Sequence, residues 1–355
     1  MKIKNLRLRN YKRFVEETQF SFCDLEGDAN EITLLVGENG SGKSSILQAI
    51  AMVVGGAVYP DFRPSELDWP GFRYDSIQNG RMPVHAEAEL HFSDEESKAT
   101  AAFAQELGEI YPDRTYLAGQ KEKIELRFSF DKDSVVSDTA TDFYQTHGYQ
   151  YARQLSKYKQ DTASLFESVG TLLFYHEQRH TTSISTSING ESTREQLSDK
   201  HLKQILDGFY RFDWQVQNNK DFELRPGQRN IYRELAENYE HIFSPRRFVG
   251  SAPQMRPEKI LDAPDFIISD GTNQYDISEM SAGERAIFPL LIDFSNWNIN
   301  NSIILIDEIE LHLHPPLQQA LVRALPKLGK NNQFIITTHS NFVASMFLDH
   351  QIIRL

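Results

Sequence analysis

Gly37-Glu38-Asn39-Gly40-Ser41-Gly42-Lys43-Ser44 lies between an apolar run, Ile32 to Val36, and the helix-like Ser45-Ile46-Leu47-Gln48-Ala49-Ile50. The spacing satisfies the phosphate-binding loop pattern at every required position. A buried strand ending at Val36, glycines that let the backbone curl, and a helix opening from the loop direct several N–H groups and a positive helix end at one point. Such a point suits a triphosphate. On this reading Asn39, Gly40, Ser41, Gly42 and Ser45 belong to the phosphate cradle, Lys43 reaches the β- and γ-phosphates, and the Ser44 hydroxyl ligates Mg2+.

A second motif lies far downstream. Ser302-Ile303-Ile304-Leu305-Ile306-Asp307-Glu308 runs four aliphatic residues into two carboxylates, the pattern of a central parallel strand with acids at its C-terminal end. Asp307 is the candidate Mg2+ ligand, directly or through water, and Glu308 the candidate group that polarises an attacking water. Between the two motifs, Ser281-Ala282-Gly283-Glu284 fits the S-x-x-E capping pattern before Ala286, Phe288, Leu290 and Leu291. A capped helix start is also an anion site. Ile335-Ile336-Thr337-Thr338-His339-Ser340 then puts a histidine at the end of another apolar strand.

These four motifs, in this order, resemble those of the ABC-type P-loop ATPases of the RecF/SMC/OLD-like group, bacterial AAA family ATPases of repair and anti-phage systems. The likeness takes in the opening Leu6–Phe14 stretch and covers both ends of the chain, not the middle. It implies an α/β fold: a P-loop NTPase head of ABC type with a mixed central sheet, an antiparallel β subdomain and a mostly helical insertion. The expected parts are an N-terminal ATPase lobe at 1–130, the insertion at 131–245 and a C-terminal ATPase lobe at 246–355.

The resemblance also assigns residues. Ser281, Gly283 and Glu284 become the signature, which in such ATPases faces the γ-phosphate bound by the opposite subunit, and His339 becomes the catalytic switch histidine. Glu310-Leu311-His312-Leu313-His314-Pro315 matches the subunit-crossing D-loop that follows the acids, in preference to a His-x-His metal pair. Arg13, in the turn after the first strand, is a candidate phosphate or ribose contact, with a solvated basic strand edge as the equal alternative. Gln178 is a candidate Q-loop glutamine sensing Mg2+ and the γ-phosphate, with Arg179 as its alternative. The sequence carries no convincing guanine-reading Asn-Lys-x-Asp motif, so ATP is the expected nucleotide.

Composition adds limits. At 355 residues the chain can bury a large core, and its formal net charge of -13 gives no global attraction to nucleic acid or anionic membrane. Cys23 is the only cysteine, which excludes an intrachain disulfide framework and a thiolate metal cluster. Neither a bilayer-spanning run nor a signal-peptide core follows the charged Met1-Lys2-Ile3-Lys4, so a cytoplasmic location is expected.

In chain order, Ile3 to Tyr11 reads as a half-buried strand with Ile32–Val36 as its core neighbour. The helix after the loop is expected to end near Gly55-Gly56, before an irregular lobe from Tyr59-Pro60 to Gly80. Val84 to Phe92 and Ile124 to Phe130 alternate as antiparallel strands with one wet face, carrying His85 and His91 on the polar side. Between them Ser93 and Glu96 form a capping box for a helix with Ala99, Phe103, Leu107 and Ile110 on one face. The middle is mostly helical, at 139–159, 201–212 and 231–243, with Thr171–Tyr175 returning to the ATPase sheet as a core strand. His176 and His180 then read as a surface turn. Tyr149, Tyr151, Arg153, Lys157, Tyr158 and Lys159 are of a type that stacks bases, but an exposed helix face is the preferred reading. Arg225, Arg229, Arg233, Arg246 and Arg247 make a sparser basic run. Phe266-Ile267-Ile268 with Asp270-Gly271 reads as a strand and turn, and Pro315-Pro316 as a helix start.

The expected cycle is ATP-driven closure of a head-to-tail homodimer, or a higher even-numbered oligomer, with two shared sites. Closure would gate DNA binding or a partner effector. OLD nucleases carry a Toprim domain after the ATPase, whereas here Ile352-Ile353-Arg354-Leu355, one expected strand, closes the sequence. The output is therefore expected from a separate effector protein, for which a nuclease is one candidate. The alternative is a scaffold that binds ATP structurally and turns over little.

Overall fold

The structure, a computed structural model, describes residues 1–78, 82–159, 161–176, 199–219, 222–224, 228–252 and 264–355, without the side chains of 199–201. Gln178, Arg179, His180 and Arg225 thus lie outside the described residues. Along the chain the strands are β1 (Lys2–Arg9), β2 (Thr18–Ser21), β3 (Ile32–Val36), β4 (His85–His91), β5 (Lys123–Ser129), β6 (Ser134–Ser137) and β7 (Leu172–Tyr175). They continue as β8 (Arg247–Ala252), β9 (Asp265–Ser269), β10 (Gln274–Asp276), β11 (Ile303–Ile306), β12 (Gln333–Thr338) and β13 (Ile352–Arg354). The helices are α1 (Lys43–Val58), α2 (Asp94–Ile110), α3 (Ala140–Phe143), α4 (Gly148–Leu155), α5 (Ala163–Glu167), α6 (Asp199–Asn218), α7 (Ile231–Phe243), α8 (Ala282–Trp297), α9 (Pro315–Ala324) and α10 (Asn341–Ala344).

The runs that read as buried strands assemble into one parallel sheet of order β13-β3-β12-β11-β7. Parallel strands are covered on both faces, and here alternate residues serve two cores. Leu35, Leu172, Phe174, Leu305 and Ile335 face α1 and the inner side of the antiparallel sheet. Leu34, Leu173, Ile304, Ile306 and Ile336 face α7, α8 and α9. The mixed character expected of the sheet is spread over three sheets, since antiparallel strands form β2-β1-β4-β5-β6 and β10-β9-β8.

Several expectations need correction. β1 pairs with β2 and β4, not with β3, because its alternation suits a sheet with one wet face. α1 runs through Gly55-Gly56 to Val58: a Cβ on Gly56 would stand 2.7 Å from Val135 Cγ2, so the glycine admits a neighbour rather than ending the helix. Ser93 does cap α2, yet Glu96 turns away to the Met1 ammonium and the Gly170 N–H instead of closing the box. Tyr149 and Tyr151 are buried in a small core with Leu107, Ala152 and Leu155, so they offer no stacking face. His176 is buried rather than on a surface turn. β6 pairs with β5 and carries the antiparallel sheet past residue 130. The helices at 94–110, 199–218 and 231–243 and the strand β7 lie where periodicity placed them. Among the described residues no helix is long and apolar enough to cross a membrane.

Between β7 and α8 the core holds an ionisable pair. Tyr175 donates its hydroxyl proton to Asp293 Oδ2 at 2.9 Å. Burial pushes the Asp293 carboxyl up to about 7, against hydrogen bonds from Tyr175 and Trp297 that pull it down. A folded pKa above the unfolded value of ~3.9 means that the folded state keeps this proton as pH rises, so stability falls across that window and levels off above it. Asp293→Asn, which mimics the neutral acid, is expected to lose that slope. In urea unfolding its advantage over the native protein should be larger at pH 8 than at pH 5 by on the order of 2–3 kcal/mol; equal differences at both pH values would contradict the burial argument.

Candidate nucleotide site

The C-terminal ends of β3, β11 and β12 bring the motifs together. In the loop after β3, Gly40 (φ 77°) and Gly42 (φ 100°) hold left-handed conformations that side-chain-bearing residues seldom adopt. The loop then turns into α1, whose first residues are Lys43 and Ser44. Lys43 Nζ donates to the carbonyls of Gly37 at 2.9 Å and Glu38 at 3.0 Å. Burial lowers its pKa, while Glu308, Asp307 and Glu310 act in the opposite direction. Arg13 donates to the Gly40 carbonyl, and its Cδ lies 2.7 Å from where a Gly42 Cβ would stand. Arg13 therefore sits against the loop, beside the candidate phosphate cradle.

Asp307 is the centre of the arrangement. Its Oδ1 accepts from Ser44 Oγ at 3.0 Å and from Thr337 Oγ1 at 2.6 Å, and its Oδ2 accepts from Trp69 Nε1 at 3.2 Å. The parallel register that pairs Ile306 with Ile336 explains why residue 307 meets residue 337. Thr337 also accepts from the Glu308 backbone N–H at 2.7 Å, at a residue whose φ is 47°. The backbone N–H of His339 donates to Glu310 Oε1. Glu310 Oε2 and Ser41 Oγ are buried without hydrogen-bond partners. A hydroxyl and a carboxylate in contact at the head of a phosphate-loop helix, with orphaned oxygens near both segments, fit a hard cation held with a phosphate. Ser44 and Asp307 are the residues that would hold Mg2+.

The candidate signature segment is built separately. Ser281 caps α8, and Glu284 Oε2 returns to the Ser281 N–H at 2.9 Å and hydroxyl at 2.7 Å, completing the expected capping box. The other oxygen, Oε1, accepts from Tyr239 at 2.8 Å and Tyr275 at 3.2 Å, with Arg246 3.6 Å away. Burial pushes the Glu284 carboxyl up, but the bonds from Ser281 and Tyr239 and the charge of Arg246 outweigh it and hold the pKa below its usual value. A Cβ on Gly283 would approach the His312 carbonyl to 3.0 Å, so the helix start lies directly on the segment after the acids. His314 caps α9, its Nδ1 accepting from the Leu317 N–H at 3.4 Å. Among the described residues no group of three or more His, Cys, Asp or Glu side chains could hold a metal. Of the second basic run, Arg229 pairs with Glu234 and Arg246 with Glu284.

Reading the sequence missed Trp69 and Thr337. Thr337 could have been found by extending the strand register, whereas Asp68-Trp69-Pro70 carries no local signal.

Residues 32–345 match the AAA domain family described as putative AbiEii toxin, Type IV TA system, and residues 1–57 match a second AAA domain family. The chain belongs to the first family. Its fold is that of an ABC-type ATPase head of the RecF/SMC/OLD-like group. It is 24% identical to the Retron Ec83 probable ATPase of Escherichia coli, over 96% of this chain and 69% of that one. The same identity relates it to the Retron Vc95 probable ATPase of Vibrio cholerae, over 99% and 73%. Among solved structures, an Smc head bound to the C-winged helix domain of ScpA superposes with a TM-score of 0.53 at 18% identity, covering 97% of this chain and 91% of that one. The Smc head of Pyrococcus furiosus bound to the C-terminal domain of ScpA gives 0.51 at 15%, with the same coverage.

Because Glu284 satisfies donors from three elements at once, Glu284→Ala is expected to cost about 3 kcal/mol in chemical unfolding. Tyr239→Phe removes one bond and should cost about 1 kcal/mol. Equal losses would mean that the carboxylate is not the hub of this network.

Proposed function

We propose that this chain binds and hydrolyses ATP with Mg2+ at sites shared between two copies, and that closure of the pair gates DNA binding or a separate effector protein in DNA repair or anti-phage defence. The observation that carries the reading is the 3.0 Å contact between Ser44 Oγ and the Asp307 carboxylate beside Lys43, at the carboxyl edge of a parallel sheet. Bound there, Mg2+ would neutralise phosphate charge. Lys43 supplies a point charge toward the β- and γ-phosphates, and the loop from Asn39 to Ser45 supplies N–H donors. Glu308 polarises the water, assisted by His339, with Gln178 as the proposed sensor. Arg13 closes the outer side of the cradle.

The signature supports a two-chain site. Ser281, Gly283 and Glu284 are tied to Tyr239, Tyr275 and His312, while the phosphate loop is tied to Asp307 and Arg13. In the ATPases that the chain resembles, the signature faces a nucleotide held by the opposite subunit, so a second copy would bring its own helix start at Ser281–Glu284 to this loop. The smallest assembly is a homodimer. We divide the chain into lobes at 1–130 and 246–355 around an insertion at 131–245, place the effector's docking on that insertion or on the outer ATPase surface, and place the chain in the cytoplasm. Likeness to two probable ATPases of retrons supports ATP hydrolysis by this chain.

Lys43→Ala is expected to abolish ATP binding in calorimetry, whereas Glu308→Gln should retain ATP and accumulate the dimer in size-exclusion chromatography. If Glu308→Gln hydrolyses ATP at the native rate, the water-activating group is elsewhere. A native protein that binds ATP tightly yet scarcely turns it over, with or without DNA, would favour a scaffold.

A mixture of Ser281→Arg and Lys43→Ala chains contains one composite site with both motifs intact. It should regain ATPase activity that neither variant has alone. Failure to exceed the separate variants would count against sites shared between copies.

A further inference from the structure

We infer that Trp69 is a positioning residue that fixes the Asp307 carboxylate for the metal ion. The inference rests on the reading of Asp307 as the Mg2+ ligand. Trp69 is only 3% exposed and comes from the irregular lobe, far in sequence from either acid. Its indole N–H meets Asp307 Oδ2 at 3.2 Å, the oxygen that neither Ser44 nor Thr337 touches. A carboxylate held through one oxygen can swing about its Cβ–Cγ bond; held through both, it cannot. Ser44 is itself a candidate ligand, so Thr337 and Trp69 are the two donors dedicated to orientation.

The type of donor matters. An indole N–H donates only and carries no charge, so it orients a carboxylate without opposing a nearby cation, as a lysine or arginine would. The ring is also held in place. It stacks on Phe174 with centroids 5.1 Å apart and planes at 16°, and Phe174 stands opposite Leu305, two residues before Asp307. The next two carbonyls in the chain are tied down as well: Gln48 Nε2 donates to Pro70 O at 3.3 Å and Lys12 Nζ to Gly71 O at 3.4 Å. Gln48 lies one turn beyond Ser44 on α1, so one helix face carries a candidate metal ligand and an anchor for the Trp69 loop.

The test is a Mg2+ titration of ATP-loaded protein, read by a fluorescent ATP analogue, for the native chain, Trp69→Phe, Trp69→His and Asp307→Asn. Phenylalanine keeps a ring on Phe174 and deletes the donor; histidine restores a ring N–H. The half-saturating Mg2+ concentration of Trp69→Phe is expected to rise about tenfold, with ATP affinity in EDTA little changed, and Trp69→His should recover most of the loss. If Asp307→Asn shifts the titration and Trp69→Phe does not, this inference falls while the metal assignment stands. If Asp307→Asn titrates like the native chain, both fall. A Trp69→Phe defect that Trp69→His does not relieve would make packing, not the N–H, the cause, and would also overturn it.

Discussion

The Asp307 carboxylate is the point on which the molecule converges. Its three donors, Ser44, Trp69 and Thr337, come from a helix start, an irregular lobe and the end of a neighbouring strand. A buried carboxylate is costly unless it is hydrogen-bonded, so all three segments must be in place before the charge can be buried cheaply. The parallel pairing of β3, β12 and β11 does most of this work, because it aligns the exits of three strands along one edge. The lobe then adds Trp69 from the side.

A second convergence, at Glu284, has a different character. It gathers Tyr239 from α7, Tyr275 from β10 and Arg246 at the entry to β8 onto the start of one helix. α7 lies some forty residues before Ser281-Ala282-Gly283-Glu284 in the sequence, yet the geometry of this helix start depends on it. A displacement of α7 would therefore act on the helix start through the Tyr239–Glu284 hydrogen bond. The network also explains why an acidic side chain at this position can be almost completely buried.

Much of this was legible because the physics is local. Continuous apolar runs ending in a glycine loop, in two acids or in a histidine describe buried strands, and β3, β11 and β12 follow them. Alternation in Val84–Phe92 and Ile124–Phe130 marked a sheet with a wet face. What could not be read depended on tertiary approach. Gly55-Gly56 reads as a helix stop until Val135 is seen to need the space. Glu96 reads as half of a capping box until the Met1 ammonium competes for it. Tyr149 and Tyr151 read as surface aromatics until α2 covers them. Trp69 had no signal of its own, since its importance comes from a partner 238 positions away.

The close seating of Gly283 on the His312 carbonyl has a mechanical meaning. With no side chain between them, the start of α8 and the segment after the acids behave as one stiff piece, and His312 itself occupies a left-handed conformation (φ 62°) that resists gradual adjustment. A shift near Glu308 would be relayed to the start of α8. A lone methyl group at position 283 would stand 3.0 Å from the His312 carbonyl and push the two segments apart by a few tenths of an ångström.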